Sequence, residues 1–204
     1  RKKKMENKEK DKNLIGIDLD EVVADFVMTF IDFYKDTYGR RILFEKIKTY
    51  NFWEHGLDKN REEAIRLVDE FYNSRYFNKI PLIDGVGQAI DKLSLEKRIY
   101  IVTSRPKRFK DKTEAFINNH FFGKEIRVVY SSDFHKENGS TKAEICTNLG
   151  IRDFIEDNLE YARECAERGV RVFLYDKPWN MRKLDRRIIR VKSWKEILSA
   201  LGGI

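Results

Sequence analysis

At 204 residues, 41% of them hydrophobic and 13% aromatic, the chain can bury a substantial core and falls outside the disordered class. No apolar run approaches the length of a membrane span, and no apolar stretch with a cleavage site opens the sequence, so no membrane partner is expected. The formal net charge of +7 admits nucleic acid as a partner, but much of the excess is local. Arg1-Lys2-Lys3-Lys4 precedes the first apolar run, and Arg182, Lys183, Arg186 and Arg187 form a second cluster. A basic tail reads first as a solvated arm, and an anionic small substrate accounts for a basic surface equally well, which leaves nucleic acid as the less favoured partner. Cys146 and Cys165 fall in helix-like patterns without metal-type spacing and predict buried, reduced thiols in a cytoplasmic protein. His55, His120 and His135 are scattered and make no zinc motif.

Residues 1–13 read as a charged, frayed arm, with Met5 a candidate internal start. Leu14 to Asp18 is the first predicted strand. From Phe26 to Tyr38, apolar residues at Phe26, Phe30, Ile31, Phe33 and Tyr34 describe an amphipathic helix stopped by Gly39. The composition then shifts: Phe52-Trp53, a turn at Gly56, and a second helix from Arg61 to Tyr72. No alternating run suggests a strand before Ile80. Residues 27–80 therefore read as a small helical cap inserted after the first strand, with 14–26 and 81–204 as the core.

Pro81 and Gly85 mark the return to the core, followed by a helix over Val86 to Leu95. A β-branched and aromatic run from Arg98 ends in the hydroxyls of Thr103 and Ser104. Next come a helix over Lys112 to His120, a strand over Ile126 to Tyr130, and a polar loop over Asp133 to Ser140. A helix over Thr141 to Leu149 is expected to be capped by Ser140 and stopped by Gly150. Asp153 to Glu156 is a strand, Leu159 to Arg168 a helix ended by Gly169, Val170 to Tyr175 a strand. Ile188 to Val191 is a candidate sixth strand before a closing helix over Trp194 to Leu201. Strands alternating with helices predict an α/β fold: a three-layer, Rossmann-like, mainly parallel sheet.

The first strand ends in Asp18-Leu19-Asp20, two acids spaced so that both carboxylates reach one face at the carboxyl end of the sheet, where such folds bind ligands. Acids held this close repel unless a cation or a shared proton intervenes, and Mg²⁺, a hard ion that takes oxygen ligands and works beside phosphate, is the expected cofactor. Thr103 and Ser104 can donate to a phosphate oxygen; a strand-end residue bonding its own backbone is the plainer role for Thr103. Lys142, in the first turn of its helix, adds a mobile positive charge to a helix end that already favours anions, and Lys136 competes for that place. Glu156-Asp157-Asn158 puts acids at the end of the fourth strand, where Asp157 or Asn158 is also suited to capping the next helix.

Asp18-Leu19-Asp20-Glu21-Val22-Val23-Ala24-Asp25-Phe26 resembles the first motif of the haloacid-dehalogenase-like phosphatases. Within them it is similar to the 5′(3′)-deoxyribonucleotidase-like branch, with its Asp-x-Asp-Gly-Val-x-Ala-Asp-Phe pattern. Thr103-Ser104, Lys142 and Glu156-Asp157 follow in the family's order, and Tyr175-Asp176-Lys177-Pro178-Trp179-Asn180 with Arg190 to Trp194 looks like the branch's carboxyl-terminal pattern. The resemblance implies a Mg²⁺-dependent phosphomonoesterase, with a nucleoside monophosphate as the expected substrate. In that reading Asp18 is the nucleophile that forms an aspartyl-phosphate, and Asp20 is the general acid and base. Thr103, Ser104 and Lys142 hold the phosphoryl oxygens. Asp18, the Asp20 main-chain carbonyl and Asp157 hold the metal, with Glu156 an alternative ligand or an orienting group. Glu21 stands where many relatives have glycine and is expected to narrow or repel at the substrate pocket. Phe26 is placed in that pocket, whereas Phe52 and Trp53 are divided between stacking on a base and filling the cap core. The rival readings are a phosphatase for nucleic-acid 3′-ends or sugar phosphates, and a non-catalytic phosphate- or nucleic-acid-binding module on the same fold.

Overall fold

A computed structural model describes residues 13–49, 60–132 and 139–202. The charged arm before Asn13, Phe52, Trp53, His55, Gly56, Lys136 and His135 lie outside the described residues. The strands are β1 (Asn13–Ile17), β2 (Lys97–Thr103), β3 (Ile126–Tyr130), β4 (Asp153–Glu156), β5 (Arg171–Tyr175) and β6 (Ile188–Val191). The helices are α1 (Phe26–Tyr38), α2 (Arg61–Asn73), α3 (Val86–Glu96), α4 (Lys110–His120), α5 (Lys142–Leu149), α6 (Leu159–Glu167) and α7 (Trp194–Ala200). Asn13, expected in the arm, already pairs with Lys97, because a ladder hydrogen bond asks nothing of the side chain.

All neighbouring strands are parallel, in the order β3-β2-β1-β4-β5-β6. The period-two alternation of each strand sorts the core into two layers. Ile15, Ile17, Ile99, Ile101, Ile155 and Phe173 face α3, α4 and α7. Val102, Phe154, Val172 and Leu174 face Ala143 and Cys146 of α5 and Ala162 and Cys165 of α6. Gly16 sits under Phe154, and a Cβ there would lie 2.8 Å from the Phe154 ring, so close approach of the strand to that ring requires glycine. The chain builds outward from β1 through β2 to β3, then returns to lay β4 on the other side of β1. That reversal opens a crevice at the carboxyl ends of β1 and β4, the place where open α/β sheets bind ligands.

The helical insertion leaves and rejoins the core through a short paired neck. Asp25 N–H donates to the Pro81 carbonyl at 2.9 Å, and Ile83 N–H to the Val23 carbonyl at 2.8 Å. Phe71 of α2 meets the rings of Phe26, Phe30 and Phe33 of α1 edge-on, at centroid distances of 5.0, 5.5 and 5.5 Å. Phe30 and Phe71 are fully buried, and each ring so enclosed stabilises the packing by about 1.5–3 kcal/mol. Gly39 ends α1 in the left-handed conformation, as its position predicts. At α5 the cap is Thr141, not Ser140. The Ser140 main-chain carbonyl accepts from Ser132 N–H, and Thr141 and Glu144 form a reciprocal capping box. Among the described residues no helix is long and apolar enough to cross a membrane.

Candidate active site

The site begins one residue beyond β1. Asp18 N–H donates to the Ile155 carbonyl at 2.8 Å, which extends the β1–β4 ladder and sets the Asp18 side chain in the crevice beside Glu156. The chain then turns sharply, with Val23 and Ala24 N–H both donating to the Leu19 carbonyl. Asp18 and Asp20 thus both lie past the end of the strand, and the turn, not strand periodicity, sets their relation.

Glu21 carries this turn. It is the one non-glycine residue with positive φ among those described, at 65°, a conformation that costs about 1–2 kcal/mol for an L-residue. The side chain is fully buried. Its carboxylate accepts from Val27 N–H at 2.6 Å and from Lys177 Nζ at 2.7 Å. Burial pushes its carboxyl upward, opposed by Lys177 and by the Val27 hydrogen bond. Glu21 is therefore not in the pocket where it was expected. The turn directs its side chain inward, where it receives the free N–H at the start of α1 and a lysine from beyond β5.

Lys142, in the first turn of α5, is buried between two acids: Nζ donates to Asp18 Oδ1 at 2.7 Å and to Glu156 Oε2 at 2.8 Å. The other Glu156 oxygen accepts from the backbone N–H groups of Asp157 and Asn158, at 3.0 and 2.9 Å. Asn158, not Asp157, caps α6, accepting from Glu160 and Tyr161 N–H. Asp157 Oδ2 instead accepts from Trp179 Nε1 at 2.8 Å, and the Asp157 carbonyl from Asn180 Nδ2 at 2.7 Å. Asn180 is held in turn by Arg190, and Trp194 Nε1 donates to the Val22 carbonyl at 2.9 Å. The carboxyl-terminal pattern thus clasps both acidic loops.

Asp18, Glu156 and Asp157 each bring a carboxylate oxygen within 4.8 Å of the others. Burial, with Glu156 next, pushes the Asp18 carboxyl up to about 7, against the pull of Lys142. Burial and the neighbouring carboxylates of Glu156 and Asp18 hold Asp157 well above the usual range. Burial opposes the charge on Lys142, yet Asp18 and Glu156 keep it well above its ordinary value. Three enclosed acids with hard oxygen donors, still strained after a lysine has joined them, fit a small divalent cation such as Mg²⁺.

The loop after β2 forms the opposite wall. Thr103 Oγ1 accepts from Arg105 N–H at 3.1 Å, so the strand-end role holds while its own hydrogen stays available to donate. Ser104 Oγ lies 2.9 Å from Ser131 Oγ. Arg105 was not foreseen: its guanidinium grips Asp20 with both arms, Nε to Oδ2 at 2.9 Å and Nη2 to Oδ1 at 2.6 Å. The available signal was an arginine directly after the strand-end hydroxyls. Asp18, Asp20, Thr103, Ser104, Lys142 and Asp157 line one cavity of about 70 Å³, with Phe26, Val68, Tyr72 and Pro106 as its apolar side. The volume exceeds the room that a single buried water needs.

This sheet order, a helical insertion after β1, and acids gathered where β1 and β4 end define a hydrolase of the haloacid-dehalogenase-like class. A haloacid-dehalogenase-like hydrolase from Streptococcus pneumoniae superposes with a TM-score of 0.66 at 15% identity, covering 93% of this chain and 98% of that one. A hydrolase of the same superfamily from Bacillus subtilis, bound to magnesium, gives 0.59 at 17% identity, covering 94% and 99%. Residues 12–201 match the model of the family described as 5′ nucleotidase, deoxy (pyrimidine), cytosolic type C protein, and the chain belongs to that nucleotidase family. A nucleotidase of Clostridium acetobutylicum is 28% identical over 183 residues, covering 90% of each chain. A 5′(3′)-deoxyribonucleotidase of Bacillus subtilis is 26% identical over 195 residues, covering 91% of this chain and 96% of its own.

Proposed function

We propose that this nucleotidase-family hydrolase cleaves the phosphomonoester of a nucleoside monophosphate through an aspartyl-phosphate on Asp18. The observation that carries the reading is the Asp18 carboxylate held by Lys142 at 2.7 Å in the β1–β4 crevice, with Asp20 on the same cavity. Asp18, whose Oδ1 is anchored, attacks phosphorus with its other oxygen. The bond from phosphorus to the substrate oxygen breaks, and Asp20 gives that oxygen a proton. Asp20 then takes a proton from water as the water oxygen attacks phosphorus, which releases inorganic phosphate and restores the Asp18 carboxylate. Lys142, Thr103 and Ser104 donate to the phosphoryl oxygens, where most catalysis of such transfers lies. Asp18, Asp157 and the Asp20 carbonyl would hold Mg²⁺, which supplies charge neutralisation at those oxygens when bound. Glu156 orients Lys142.

The nucleotide substrate is supported by the family and by relatives named nucleotidases, and Phe26 and Tyr72 offer aromatic surface on the cavity's apolar side. We assign residues 27–80 as the cap over a core of 14–26 and 81–204. A cytoplasmic place of action is in keeping with two free, buried cysteines. The test is phosphate release from a panel of ribo- and deoxyribonucleoside monophosphates and sugar phosphates, with Mg²⁺ or with EDTA. Turnover is expected for nucleotides, only with Mg²⁺, and not in Asp18→Asn. Undiminished turnover in Asp18→Asn would sink the mechanism.

A further inference from the structure

We propose that Arg105 is the positioning residue for Asp20, fixing the plane and direction of the carboxylate that moves the proton; this rests on the role given to Asp20 above. Asp20 lies in a turn, and its side chain keeps some exposure, 15%. A carboxylate so placed rotates freely unless something grips both oxygens. Arg105 does so across 85 residues of sequence, with one nitrogen on each oxygen. The fork occupies one edge of the carboxylate, and Asp20 lines the cavity, where a leaving oxygen and then a water would meet its remaining lone pairs.

The guanidinium is itself immobilised. Its side chain has no exposed surface. It lies near the rings of Phe77, Phe116 and Tyr72, at 5.1, 5.7 and 6.0 Å from the centroids. Its backbone N–H is bonded to Thr103. Nη1 is buried with no hydrogen-bond partner among the described residues. Enclosing an unpaired donor costs about 1–3 kcal/mol, and a buried ion pair is no better for stability than apolar residues of the same volume. A buried arginine whose side-chain hydrogen bonds, among the described residues, all go to one carboxylate of the site is accounted for by control of that carboxylate's geometry.

The experiment is a double-mutant cycle on kcat and KM with Mg²⁺ and the nucleoside monophosphate that turns over fastest, using Asp20→Asn, Arg105→Met, Arg105→Lys and each pairing with Asp20→Asn. Arg105→Met is expected to lower kcat about 100-fold with KM nearly unchanged, because proton transfer in such reactions is worth about 10²–10⁴-fold. Arg105→Lys keeps the charge but cannot span both oxygens, so it recovers only part of the rate. In the Asp20→Asn background either change is expected to cost less than about threefold, since the two residues act as a unit. Losses that multiply, full rescue by lysine, or a raised KM with kcat intact would each overturn the proposal while leaving the role of Asp20 standing. Should Arg105→Met fail to melt cooperatively, the Arg105→Lys cycle decides by the same criteria. Full activity in Asp20→Asn would remove the general-acid reading itself, a result distinct from any in the Arg105 variants.

Discussion

The carboxylate of Glu21 accepts from Lys177 Nζ at 2.7 Å across 156 residues of sequence, and both side chains are enclosed. That lysine, arriving from beyond β5, and the Val27 N–H together offset the charge of an acid buried in a left-handed turn between β1 and α1. Lys177→Met is expected to strand the carboxylate and destabilise the protein by about 3–5 kcal/mol. Glu21→Gly combined with Lys177→Met removes the pair and relieves the positive φ together, and should recover most of that loss. Urea unfolding of the three proteins checks it; equal midpoints for the single and double variants would show that the pair does not brace the turn.

Trp179 Nε1 holds Asp157 Oδ2 at 2.8 Å. With Asp157 in the metal-holding role proposed for it, loss of this bond is expected to weaken Mg²⁺ binding about 10–100-fold in Trp179→Phe, with the fold intact. Calorimetric titration of Mg²⁺ measures it, and an unchanged affinity would relieve Trp179 of this role.

In the metal-free protein, burial and then Glu156 raise the folded-state value of Asp18 from 3.8 to about 7, with Lys142 opposing. Between those values the folded state binds more protons than the unfolded state, so this group's contribution to stability falls as pH rises, and the loss is complete above about 7. The melting temperature of EDTA-treated protein should therefore decline from about pH 5 to about pH 8 more steeply than that of Asp18→Asn. Mg²⁺ should raise it most at the upper end. Parallel profiles for the two proteins would contradict the shift.

At Gly16, an added Cβ would meet the Phe154 ring at 2.8 Å and Ile151 at 3.2 Å, both in the packed layer beneath the crevice. Gly16→Ala is expected to destabilise by about 1–3 kcal/mol through overpacking, and to lower activity by moving β1 against β4. Thermal unfolding and phosphate release test the two effects together; a neutral substitution would show that the layer yields.

Much of the fold was legible because its signals are local. Short β-branched runs mark the strands, Phe26, Phe30 and Phe33 repeat at helical spacing, and Gly39 and Gly150 stop helices that the structure ends at the same places. Asp18, Asp20, Thr103, Lys142 and Asp157 could be picked out because each stands at a strand end or a helix start, where one residue type in the right order is informative. Two hydroxyl residues adjoin at the start of α5, and Thr141 caps it where Ser140 is expected, because Glu144 stands three residues after Thr141 and completes a reciprocal capping box.

The parallel α/β layering, and the acids and hydroxyls that the strand ends present, follow from local patterns along the chain. How those groups pair depends on contacts between residues far apart in the chain. Arg105 reaches Asp20 across 85 residues, Glu21 turns inward to Lys177 across 156, and Trp179 fastens Asp157 across 22. None of these pairings leaves a periodic or neighbouring trace in the chain. Each arises because the strand order sets β1 between β2 and β4, which brings remote loops to one edge where buried charge must find its partner.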